Sequence, residues 1–143
     1  MSESSTHASL VLALIDFAAL ELGPLADLAV RDDSVRPLRG ERPPRIYGHV
    51  PDLYATNVPT TATLIGEAKT RADLETERSQ GQIAAFLEYL AHTPGSIFVL
   101  GVPPSTVATG RRLIERLNAP FAIAGTRTVV ISDLGRRMTS FAC

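Results

Sequence analysis

The pattern of hydrophobic and polar positions predicts a long helix near the start of the chain. Residues 8–22 are rich in Leu and Ala and predict this helix, which a Gly-Pro pair ends. Pro24 is expected to begin a short helical continuation through Val30. Residues 31–45 alternate charge with Pro and Gly and predict a loop, and residues 1–7 predict a disordered tail.

Two extended runs after the loop predict a β-hairpin. Residues 45–55 have an imperfect strand pattern that Pro51 interrupts. Residues 63–69 have an apolar centre and a charged end, and the polar loop 56–62 separates them from the first run. The two strands are therefore expected to pair as a hairpin with a long connection.

The rest of the chain alternates helix and strand patterns. Residues 73–91 and 105–117 have apolar positions at helical spacing, and residues 96–102 and 127–132 predict strands. The order of elements predicts the α/β class, with a mixed central β-sheet flanked by helices and formed by one domain over residues 8–143.

Composition and charge fit one small globular domain. The 143 residues are 45% hydrophobic and 20% charged, and 14 basic against 15 acidic residues give a net charge of -1. This balance excludes a strongly basic field over the whole protein. The one cysteine, Cys143, excludes an internal disulfide framework and a thiolate zinc cluster, and it favours a cytoplasmic location.

The apolar stretch 8–30 is not expected to enter a membrane. Asp16, Glu21 and Asp27 interrupt it, and no basic residue precedes Arg31. A signal peptide needs a positive start and a spanning helix needs about 20 apolar residues. We therefore interpret the stretch as a core helix, and we expect no membrane partner.

The basic residues are distributed unevenly between two types. Thirteen of the fourteen are arginine, and Lys69 is the one lysine of the chain. A position that keeps lysine in an arginine-rich sequence favours a role for a compact ammonium group.

The predicted hairpin brings the strongest chemical signal together. Glu67 and Lys69 are two residues apart on one strand and therefore share a face, and the hairpin can bring Asp52 beside them. Two carboxylates and a backbone carbonyl such as that of Ala68 are suitable oxygen ligands for Mg²⁺. Lys69 is then placed to orient or deprotonate a water for attack on phosphorus.

At these residues the sequence resembles the PD-(D/E)xK nuclease superfamily. It has Pro51-Asp52, fourteen intervening residues and then Glu67-Ala68-Lys69. The resemblance implies a restriction endonuclease-like core and an enzyme that hydrolyses phosphodiester bonds of DNA with Mg²⁺, or with Mn²⁺ as a substitute. A structure-specific nuclease and a defence-related nuclease both fit. The short chain implies a homodimer or a partner protein.

The resemblance also implies supporting residues. Gln82 and Phe86 are similar to the Gln-x-x-x-Tyr element of one branch of the superfamily, which makes Gln82 a candidate catalytic residue. Glu21 is the candidate for an acidic metal ligand on the first helix, with Asp16 as the second choice. His49 is a candidate general base, although it shares a face with Pro51 rather than with Asp52.

Three arginines flank the predicted site and are candidate contacts to the nucleic-acid backbone, because guanidinium groups bind phosphate in a bidentate way. They are Arg45, Arg71 and Arg78.

Two alternatives stay open: a non-catalytic nuclease-fold module within a larger nucleic-acid-processing complex, and a small α/β domain in which the two motifs coincide by chance.

Overall fold

The strands of the central sheet follow one another in chain order. In the computed structural model, which describes residues 5–134, the protein belongs to the α/β class and has a five-strand mixed sheet and four α-helices. The strands are β1 (Leu28–Asp32), β2 (Leu53–Asn57), β3 (Thr63–Ala68), β4 (Ser96–Gly101) and β5 (Arg127–Ile131). The helices are α1 (Ser5–Leu22), α2 (Arg71–Leu74), α3 (Glu77–Ala91) and α4 (Val107–Asn118).

The direction of the strands changes in the middle of the sheet. β1, β2 and β3 are antiparallel neighbours, whereas β3, β4 and β5 are parallel. Parallel neighbours need crossover connections, which α3 and α4 supply. α1 packs on one face of the sheet, and α3 and α4 pack on the other. The carboxyl ends of β3, β4 and β5 therefore lie along one edge.

Two glycines allow α1 to approach the sheet closely. A Cβ atom at Gly66 would lie 3.3 Å from the Leu14 side chain, and one at Gly101 would lie 3.2 Å from it. Leu14 is fully buried in this gap. α1 is long and apolar enough to span a membrane by composition alone, with a mean hydropathy of 1.4. Its packing on the sheet confirms the predicted core helix.

The first strand of the sheet was not predicted. The expected helical continuation through Val30 is wrong: a 3₁₀ turn at Leu25–Asp27 leads into β1. The buried and exposed residues of β1 alternate strictly, as in a half-buried strand. β1 pairs with β2 along its whole length, so this tertiary contact overrides the helix propensity of Leu and Ala.

The boundaries of three other elements also differ from the prediction. α1 begins at Ser5, so part of the expected tail is helical. The predicted strand 45–55 begins only at Leu53. The predicted helix 73–91 is two helices, because Thr70 and Thr76 each accept a backbone hydrogen bond as N-caps of α2 and α3.

Candidate active site

Asp52 and Glu67 face each other across the open end of the β2–β3 hairpin. The ladder pairs Leu53 with Gly66, so the next residues along the strands are Asp52 and Glu67. The Asp52 backbone N–H donates to Glu67 Oε1 at 2.8 Å, and the Ala68 backbone N–H donates to Asp52 Oδ2 at 2.8 Å. Each carboxylate is thus fixed by the backbone of the opposite strand.

Lys69 joins this pair to α3. Its Nζ lies 3.3 Å from Glu67 Oε2 and donates to Gln82 Oε1 at 2.8 Å. Its backbone N–H donates to the Gly101 carbonyl, which extends the β3–β4 ladder by one residue. Because an ammonium group only donates hydrogen bonds, the Gln82 amide turns its oxygen to Lys69 and keeps its NH₂ group for another acceptor.

Burial makes Glu67 an unusual acid. Its side chain is only 4% exposed, and its removal from water together with the nearby Asp52 raises the pKa of Glu67 from 4.5 to about 8. Lys69 and the hydrogen bond from the Asp52 backbone oppose this shift of the pKa, but they are too weak to cancel it. A buried carboxyl with a shifted pKa and a charged partner is a candidate functional group.

The raised pKa gives the protein a pH-dependent stability. The unfolded chain releases the Glu67 proton near pH 4.5, whereas the folded protein keeps it up to about pH 8. The folded state binds more protons in this window, so the contribution of Glu67 to the free energy of unfolding falls as the pH rises through it. We expect a loss of up to about 1.4 kcal/mol per pH unit in metal-free protein.

Urea unfolding in EDTA at several pH values between these limits measures this dependence. Glu67→Gln cannot titrate and should show a shallower fall in the free energy of unfolding than the wild type. An equal fall in both proteins would contradict the assigned pKa.

The oxygen donors at this edge suit Mg²⁺ better than a metal whose ligands all come from the protein. Within residues 5–134, no three His, Cys, Asp or Glu side chains form a group that could hold a metal ion. Mg²⁺ binds through one or two carboxylates and keeps several waters or substrate oxygens. Asp52 and Glu67 supply two carboxylates at facing positions of this edge. The third predicted ligand is the backbone carbonyl of Ala68. In the structure, Ala68 contacts Asp52 through its backbone N–H.

The structure does not bring the predicted ligand Glu21 to this site. Glu21 forms an ion pair with Arg127 at the start of β5. It lies fourteen residues after His7 on α1, about 21 Å further along the helix axis. Asp16, the second choice, is exposed on the same helix. The prediction of an acidic ligand from α1 is therefore wrong for Glu21.

α1 contributes His7 to the site instead. His7 Nε2 lies 3.4 Å from Asp52 Oδ1. Sequence reasoning placed His7 in a disordered tail and so missed it. Only the structure shows that α1 begins at Ser5, which puts His7 on the first turn of the helix, beside the sheet edge.

The remaining candidates are three arginines and His49. Arg45 and Arg71 are exposed and bond to nearby backbone carbonyls, those of Gly48 and Ser105. Arg78 is exposed on the first turn of α3. The His49 ring packs edge-on against Phe86, with centroids 6.3 Å apart, so the structure shows it as a packing residue of the α3 side.

Comparison with protein-family models, with curated proteins and with solved structures found no match for this chain.

Proposed function

We propose that the protein is a metal-dependent nuclease that hydrolyses phosphodiester bonds of DNA. The observation that carries the proposal is the convergence of Asp52, Glu67, Lys69 and Gln82 at one sheet edge, through contacts of 2.8–3.3 Å. Two carboxylates for a cation, an ammonium group and an amide donor form the set of groups that phosphodiester hydrolysis needs.

In this proposal Asp52 and Glu67 hold Mg²⁺, or Mn²⁺ in its place. A bound divalent cation neutralises the charge that develops on the phosphate during displacement. Lys69 orients the attacking water and supplies a second positive charge beside it. Gln82 holds the Lys69 ammonium in place and presents its NH₂ group to a phosphate oxygen. His7 orients the Asp52 carboxylate from the α1 side.

The fold supports the same assignment. A helix, an antiparallel strand group that carries the motif, a further helix and a parallel strand follow one another, the order expected for a restriction endonuclease-like core. Arg71 and Arg78 lie on the helices that follow the motif and are proposed to contact the DNA backbone. The net charge of -1 makes tight binding by one copy unfavourable, so we propose a homodimer or a partner protein.

Replacing Gln82 should slow cleavage without abolishing it. Gln82→Ala removes the amide oxygen that accepts from Lys69 and the NH₂ group proposed to donate to phosphate. The loss of one hydrogen bond to a charged group corresponds to about a tenfold to hundredfold change in rate. The matched control is Gln80→Ala, because Gln80 lies on the same helix but bonds to the Leu74 carbonyl and to Arg116. Single-turnover cleavage rates should fall for the first variant only. Equal rates for both variants would remove Gln82 from the mechanism.

The proposed function is tested by incubating the purified protein with plasmid, linear duplex, single-stranded and branched DNA, and with RNA, in Mg²⁺ or Mn²⁺. We expect cutting of at least one DNA substrate that EDTA abolishes. Mg²⁺ binding without cutting of any of these substrates would instead favour a non-catalytic module.

A further inference from the structure

A strained turn shortly before Asp52 in the chain carries an exposed aromatic ring. Ile46 and His49 exchange two backbone hydrogen bonds, of 2.7 and 2.9 Å, around the two-residue loop Tyr47-Gly48. Both loop residues have positive φ, 48° at Tyr47 and 83° at Gly48. Among residues 5–134, Tyr47 is the one non-glycine residue with positive φ. Turns of this kind favour Asn-Gly, and a bulky residue at the first position is strained.

The turn is anchored on both sides, so its tip is held in one place. Ile46 is buried in the core on the α3 side, and the His49 ring packs against Phe86. Phe86 lies one helical turn after Gln82, about 6 Å along the axis of α3. On the other side, the chain runs from the turn directly to Asp52, the first residue of the candidate site. The turn therefore lies against the helix that carries Gln82.

Tyr47 itself is not used to fill the core. It is 57% exposed at the tip of this anchored turn, which is an unfavourable position for a large aromatic side chain if stability were the only requirement. Backbone strain persists mainly where function uses it. The exposed Arg45 lies on the same turn and bonds to the Gly48 carbonyl, so a positive charge accompanies the ring.

We infer that Tyr47 is a stacking platform for an unpaired base of the nucleic acid at this site. The inference rests on the proposed function and deepens it by naming the kind of substrate. A base offers its face to a side chain only where it is unpaired or splayed from the helix. Aromatic rings bind such bases by stacking, with little sequence preference. Arg45 is placed to contact the adjoining phosphate.

Two variants at position 47 separate this role from a structural one. Tyr47→Asn relieves the strain, because Asn adopts positive φ readily, but it removes the ring. We expect its unfolding midpoint to rise by about 2–4 °C. We expect its affinity for a labelled single-stranded oligonucleotide to fall about fivefold to a hundredfold, while binding of the matching duplex is unchanged. Tyr47→Phe keeps the ring and should bind like the wild type.

Fluorescence anisotropy in EDTA measures binding without cutting, and Ile123→Asn is the control for loss of another exposed apolar side chain. Unchanged single-strand affinity in Tyr47→Asn, equal losses in both Tyr47 variants, or no binding of the oligonucleotide by the wild type would each overturn the inference.

Cleavage in Mg²⁺ distinguishes the two proposals. A wild type that cuts DNA, with Tyr47→Asn cutting unpaired substrates equally well, would overturn the stacking role and leave the nuclease assignment intact. A wild type that binds through Tyr47 but never cuts would overturn the nuclease assignment alone.

Discussion

Lys69→Ala should reduce the rate of DNA cleavage by about a hundredfold to a thousandfold, the loss that follows removal of one preorganised group that stabilises charge in the transition state. The ammonium lies between Glu67 and Gln82, with contacts of 3.3 and 2.8 Å, and its side chain is only 13% exposed. Water cannot replace it well in this buried position. Single-turnover rates in Mg²⁺ measure the effect.

Two further variants make this prediction specific. Lys69→Met keeps most of the side-chain volume and should be as slow as Lys69→Ala. Lys69→Arg keeps the charge, but its wider planar group cannot take the place of a compact ammonium, so it should recover little of the rate. Urea unfolding of each variant checks that the fold is retained. Full activity in a folded Lys69→Ala protein would contradict the assignment.

Asp52→Asn should abolish most of the Mg²⁺ affinity while the hairpin stays intact. The amide oxygen of Asn can still accept the hydrogen bond from the Ala68 N–H, so the local structure has a substitute for its partner. The negative charge is lost, however, and Mg²⁺ depends on its few carboxylate ligands. We expect at least about a tenfold weaker binding of Mg²⁺ and a loss of cleavage as large as that of Lys69→Ala.

Isothermal titration with Mg²⁺ measures the affinity, and thermal unfolding with and without Mg²⁺ measures its stabilising effect. Glu21→Gln is the matched control, since it removes a carboxylate that pairs with Arg127 at the other end of α1. Mg²⁺ should stabilise this control as much as the wild type. Equal Mg²⁺ affinity in Asp52→Asn and the wild type would place the cation elsewhere.

The sequence was sufficient to predict the α/β class and the hairpin, but not β1. β1 is short, with three apolar residues followed by two charged ones, and its pairing partner β2 begins 21 residues after β1 ends. Leu and Ala favour a helix locally, so only the strict alternation of burial distinguishes the strand. A pairing between distant segments is not visible in a short window of sequence.

The centre of the candidate site was easier to predict than its surroundings. Strand alternation predicts that Glu67 and Lys69 share a face, and pairing of the two strands in a hairpin can bring Asp52 beside them. The helix residue that reaches them from α1 depends on how α1 crosses the sheet, which Gly66 and Gly101 determine through their contact with Leu14. The sequence pattern also assigns His7 to a tail before the helix, so only the structure reveals its contact with Asp52. The strained turn at Tyr47 depends in the same way on tertiary anchoring.

One measurement decides whether Asp52, Glu67 and Lys69 form a metal-dependent phosphodiesterase centre. It is the single-turnover cleavage of labelled DNA by wild type and Lys69→Ala side by side, in Mg²⁺ and in EDTA. We expect the wild type to cut in Mg²⁺ but not in EDTA, and the variant to cut almost not at all. Cutting that persists in EDTA, or that both proteins perform at the same rate, would contradict this expectation.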